Sequence, residues 1–130
     1  PDDTARAVRV AVNARERLEA RTEEFFARFR WRPRIHAGIN AGLVVAGDVG
    51  AAGHKQITAI GDVVNVAQRL CDAAAPGQIL LTWKTFQTVQ HAFDGQPLPP
   101  MRLAGRANIE TIFEVTAPRV NLRVVGGPGA

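Results

Sequence analysis

Residues 57–70 read Ile57-Thr58-Ala59-Ile60-Gly61-Asp62-Val63-Val64-Asn65-Val66-Ala67-Gln68-Arg69-Leu70. Gly61-Asp62 predicts a turn with Asp62 as helix N-cap, and Val64, Ala67 and Leu70 predict a buried stripe along the short helix that follows. Asn65 and Arg69, four residues apart, then share the opposite face. An amide and a guanidinium aimed the same way point to a ligand. Each also has an ordinary account on its own: the Asn65 amide satisfying nearby backbone, and Arg69 pairing with Asp72.

Working outward, Ile35, Ala37 and Ile39, then Leu43, Val44 and Val45, predict two strands over 34–41 and 42–49, joined as a hairpin near Asn40-Ala41-Gly42. Gly47, Gly50 and Gly53 lack the strand–loop–helix setting and the Gly-Lys-Ser/Thr ending of a phosphate loop, so they read as a flexible connection. Farther upstream, Ala5, Val8, Val12, Leu18, Phe25 and Phe29 approximate one face of a single long helix from Thr4 to Phe29, ended by Pro33. Phe25, Phe26 and Phe29 read there as core packing. Downstream, Pro76-Gly77 stops the signature helix, Gln78 to Leu81 predicts a buried strand, and Trp83 to Gln90 another helix. Pro97, Pro99 and Pro100 mark an irregular link. Residues 101–104 and 111–115 predict a closing pair of strands about the turn at 105–108.

The chain has 130 residues, 46% of them hydrophobic, which suits one globular domain. Its formal charge is +4, but the arginines of the first thirty residues alternate with acids (Arg15, Glu16, Arg17, Glu19, Arg21, Glu23). That pattern describes a solvated helix surface, not a nucleic-acid stripe. A ferredoxin-like RNA-binding domain would need paired aromatics on its strands, and none are predicted there. No apolar run nears the roughly 20 residues that span a bilayer, and Pro1-Asp2-Asp3 lacks signal-peptide character, so a cytoplasmic segment without membrane contact is expected. Cys71 is the single cysteine; it cannot form an internal disulfide and reads as a packed residue in a reducing compartment. His36, His54 and His91 are not at metal-ligand spacing.

Four blocks carry a resemblance. They are Arg34 to Gly50, Thr58 to Arg69, Ala75-Pro76-Gly77-Gln78-Ile79-Leu80-Leu81-Thr82, and Leu103-Ala104-Gly105-Arg106. In this order they resemble the class III nucleotide cyclases, the adenylyl and guanylyl cyclases, over their C-terminal portion. The resemblance implies an α+β, ferredoxin-like core and conversion of ATP or GTP into the 3′,5′-cyclic nucleotide and pyrophosphate. Arg69 matches the arginine that stabilises the transition state, Asn65 the asparagine that orients the ribose, Thr58 the purine-contacting position, and Arg106 a basic residue that holds the terminal phosphates.

The family's two metal-binding aspartates, which hold Mg²⁺ or Mn²⁺, have no counterpart among these blocks, and Pro1 is not an initiator residue. The expectation is therefore an incomplete catalytic domain over 1–117, lacking the first strands, with a tail or linker over 118–130. Such a piece supplies Asn65 and Arg69 to a site shared between two domains, is inactive alone, and forms a homodimer or an assembly with exchanged elements. The alternative is a noncatalytic regulatory or dimerisation module that keeps the scaffold.

Overall fold

The computed structural model describes residues 2–42, 45–49, 56–103 and 109–120, with backbone alone for 45–49 and 56–60. Its helices are α1 (Asp3–Ala20), α2 (Thr22–Phe29), α3 (Asp62–Ala73) and α4 (Trp83–Gln87). Its strands are β1 (Ala37–Ile39), β2 (Val45–Val49), β3 (Gln56–Ile60), β4 (Ile79–Thr82), β5 (Phe93–Pro97), β6 (Met101–Arg102), β7 (Ile109–Glu110) and β8 (Ile112–Pro118). The mixed α+β class expected from the sequence is the class observed.

The main sheet has the order β1-β4-β8-β5, with β1 parallel to β4 and the other pairs antiparallel. All four residues of β4 are buried, because the sheet is covered on both faces. Side chains alternate across a strand. Ile79 and Leu81 join Val8, Val12, Phe86, Val89, Phe93 and Val115 on the α1 side, whereas Leu80 meets Val66, Leu70, Leu103 and Ile112 on the α3 side. Arg15 ties α1 to the sheet through hydrogen bonds to the carbonyls of Gly77 (3.1 Å) and Thr116 (2.9 Å).

Three expectations need correction. The first 29 residues form two helices, not one: the chain leaves helical geometry at Arg21 (φ −110°, ψ 6°), whose N–H bonds back to the carbonyls of Leu18 and Glu19. The Thr22 hydroxyl also donates to the Leu18 carbonyl at 3.0 Å, a local bond that competes with helix continuation. As a result α2 buries no residue and Phe29 is 60% exposed, so the phenylalanines are not core.

The second concerns the hairpin. Residues 37–39 pair in parallel with β4, and the 45–49 strand pairs antiparallel with 56–60, Gly47 facing Thr58. The apolar run of β1 is drawn into the buried sheet, and residues 50–55, between β2 and β3, lie outside the described residues. The third concerns the closing strands: β6 pairs with β7, while β8 reaches β4 and β5. The proline-marked link also contains β5, which among the described residues is an edge strand, where Pro97, lacking an N–H, is tolerated.

Helix α3 lies against β1 at unusually close range. A Cβ added to Gly38 would stand 2.4 Å from the Cys71 nitrogen and 2.5 Å from the Ala67 carbonyl oxygen. Glycine here lets a helix backbone approach a strand backbone.

Candidate functional site

The signature helix begins one residue earlier than the sequence suggests. Gly61 is the N-cap, in a backbone conformation (φ 153°, ψ 165°) that essentially only glycine adopts, and Asp62 is the first helical residue, with no side-chain cap hydrogen bond from Gly61. The Asp62 carboxylate still sits where the helix N-terminus favours negative charge. The buried stripe is also shifted: Val66 and Leu70 are buried, whereas Val64 and Ala67 are half-buried. Val66 and Leu70 face Leu80 and Ile112, so the sheet beneath decides which side turns inward.

The opposite face is as expected. Asn65 and Arg69 are both exposed and lie one helical turn apart on the same side. Asn65 makes no side-chain hydrogen bond among the described residues, so its amide is not consumed by local backbone. Among the described residues Arg69 has one ion pair, Nη1 to the Asp72 carboxylate at 3.8 Å, with both side chains about half exposed. Such pairs contribute roughly 0–1 kcal/mol and leave the guanidinium accessible. Gln68 holds the other Asp72 oxygen at 3.1 Å.

A cavity of about 580 Å³ opens beside the N-terminal end of α3, and Asn65 and Arg69 do not line it. Thr58 lies in β3, paired with Gly47; its side chain is outside the description. Arg106 lies outside the described residues. Among the described residues no group of three or more His, Cys, Asp or Glu could hold a metal ion. His36 instead contacts the Cys71 carbonyl (Nδ1 to O, 3.0 Å), with the Cys71 sulfur 3.8 Å from the same nitrogen.

One group of residues escaped the sequence. Asn40, expected as a turn residue, follows β1 and anchors the start of α3. Its Nδ2 donates to the Val63 carbonyl at 3.2 Å, while its Oδ1 accepts from the Thr85 hydroxyl at 2.8 Å. Thr82 and Thr85 are buried, 3.0 Å apart through their hydroxyls, and the Thr85 N–H bonds back to Thr82. Thr82 is the α4 N-cap. A threonine followed three residues later by a second one at a helix start was the available signal.

The sequence pattern described as "Adenylate and Guanylate cyclase catalytic domain" matches residues 4–115. The chain is 33% identical over 111 residues to "Adenylate cyclase 1" of Rhizobium meliloti (strain 1021), covering 84% of this chain and 17% of that protein. Its fold is similar to the crystal structure of the adenylyl cyclase CyaB from P. aeruginosa, with TM-score 0.80 and 26% identity, covering 93% of this chain and 62% of that one. It is also similar to the catalytic core of a rhodopsin-guanylyl cyclase with converted specificity in complex with ATPalphaS, with TM-score 0.71 and 29% identity, covering 90% and 60%. The chain thus spans under a fifth of that curated relative and about three fifths of those structures.

Proposed function

The chain belongs to the adenylate and guanylate cyclase catalytic domain family, and on that premise we propose that residues 1–117 form the C-terminal part of a domain that converts ATP, or GTP, into the 3′,5′-cyclic nucleotide and pyrophosphate. The observation that carries this reading is the outward pair on α3: among the described residues, Asn65 makes no side-chain hydrogen bond and Arg69 makes a long ion pair with Asp72. In the reaction the ribose 3′-oxygen bonds to the α-phosphorus as the bond to the departing pyrophosphate breaks. Negative charge grows on the phosphoryl oxygens, and a fixed guanidinium at Arg69 stabilises that state more than the ground state. Asn65 orients the ribose so that the attacking oxygen stays aligned. Thr58 contacts the purine and Arg106 the terminal phosphates.

The site in this reading is composite. Asn65 and Arg69 come from one catalytic domain, and the Mg²⁺ or Mn²⁺ ligands come from residues other than those described here. Two copies act as a homodimer or as an assembly with exchanged elements, in the cytoplasm, with the cyclic nucleotide serving as a signal. The 130-residue chain by itself forms no cyclic nucleotide.

Complementation tests the reading. In the complete catalytic domain, Arg69→Ala lowers kcat about 100-fold or more. Mixing it with a folded, dimerising variant that lacks a metal-binding aspartate restores activity, because mixed dimers regain one whole site. Absence of recovery, or cyclisation by the isolated chain with Mg²⁺ or Mn²⁺, refutes the shared-site proposal.

A further inference from the structure

We infer that Asn40 is a positioning residue for the outward face of α3, acting through the Val63 carbonyl; the inference rests on the function proposed above for Asn65 and Arg69. Val63 belongs to the first turn of α3, immediately before the residues that carry that face. The amide orientation of Asn40 is fixed by its neighbours. A backbone carbonyl can only accept, so the group 3.2 Å from the Val63 oxygen must be Nδ2. Oδ1 then meets the donors: the Thr85 hydroxyl at 2.8 Å, with Thr82 at 3.2 Å.

The hydroxyls form a directed chain. Each carries one proton, and one consistent arrangement has Thr82 donating to Thr85 (3.0 Å) and Thr85 donating to Asn40. Two backbone N–H groups supply the remaining contacts: Ala41 to the Thr85 oxygen and Thr85 to the Thr82 oxygen, both at 3.3 Å. The end of β1, the start of α4 and the first turn of α3 are therefore joined through one side chain. Thr85 is 2% exposed and Thr82 8%, so water does not readily substitute for the bonds between these two residues. Gly61, just before α3, imposes no side chain of its own, so the direction in which the helix sets out depends on contacts made after it. Asn40 donates a side-chain hydrogen bond directly to that first turn, at the Val63 carbonyl.

Asn40→Asp tests this with almost no change of shape, because it replaces the donor facing Val63 by an acceptor. Hydrogen exchange on the 130-residue chain provides a readout independent of catalysis. The amides of Val64 to Val66 should exchange about tenfold faster while those of Leu80 and Leu81 keep their protection. Thr85→Val, which removes the donor to Asn40 and nearly preserves volume, should shift the same amides, and Thr85→Ser should restore them.

In the complete catalytic domain, Asn40→Asp should lower kcat about 10- to 100-fold with KM within about twofold. It should add less than about twofold to Arg69→Ala. Unchanged exchange at Val64 to Val66, or equal acceleration in β4, overturns the positioning role, as does an Asn40→Asp effect that multiplies fully with Arg69→Ala. If the wild-type complete domain is inactive, the proposed function falls, while the exchange measurement still judges the clamp.

Discussion

Helix α2 carries three phenylalanines in eight residues and buries none of its side chains, whereas α3 carries no aromatic residue and buries Val66 and Leu70. The difference lies in what each helix meets. Under α3 are Leu80, Leu103 and Ile112, and Gly38 clears the way for backbone approach. Among the described elements α2 packs mainly on α1, and arginines lie over its rings: the guanidinium of Arg32 is 3.7 Å from the Phe26 centroid and that of Arg28 5.6 Å from Phe29. Hydrophobic content therefore does not seat a helix; a complementary surface at contact distance does.

The largest expected effect tests the buried side of that contrast. Leu70→Ala empties a fully buried position and should destabilise the chain by about 3 kcal/mol in chemical denaturation. Phe29→Ala removes a larger side chain and should change stability by no more than about 0.5 kcal/mol. Comparable losses at the two positions would break the distinction between the helices.

The smallest effect sharpens the account of α2. Glu23 accepts a hydrogen bond from Arg32 at 3.1 Å, and this bond, together with the guanidinium charge, holds its carboxyl below the ordinary value of 4.5. A lowered folded-state value means that the contact contributes above 4.5 and is lost as pH falls through the lower value. Amide protection in α2 should decline on acidification through that range, and Glu23→Gln should abolish the decline.

The same contrast explains what the sequence made legible. Asn65 and Arg69 could be placed on one exposed face because helical spacing is local, and β4 was visible as an apolar run after Pro76-Gly77. The parallel partner of β1 was hidden because it lies some forty residues downstream, and no local pattern encodes it. β5 was masked by Asp94-Gly95 and Pro97; yet Gly95 sits where a Cβ would stand 2.6 Å from the Phe86 ring, so the residue that looks like a turn is required by packing. The break at Arg21 has no Gly or Pro to announce it. At the site, Asn40 read as a turn former because its partners, Thr82 and Thr85, are remote in sequence.

The strand order β1-β4-β8-β5 carries a kinetic consequence. No two strands consecutive along the chain are neighbours in that sheet, so each of its ladders closes a loop through intervening chain before any contact energy is gained. The β2–β3 hairpin forms from near neighbours and belongs to the microsecond class of events, whereas non-local pairing is slower. Helix α3 packs across β1 and β4, two strands that find each other only over that long loop. During folding, the face that carries Asn65 and Arg69 should therefore gain its final orientation late, after the chain is already compact.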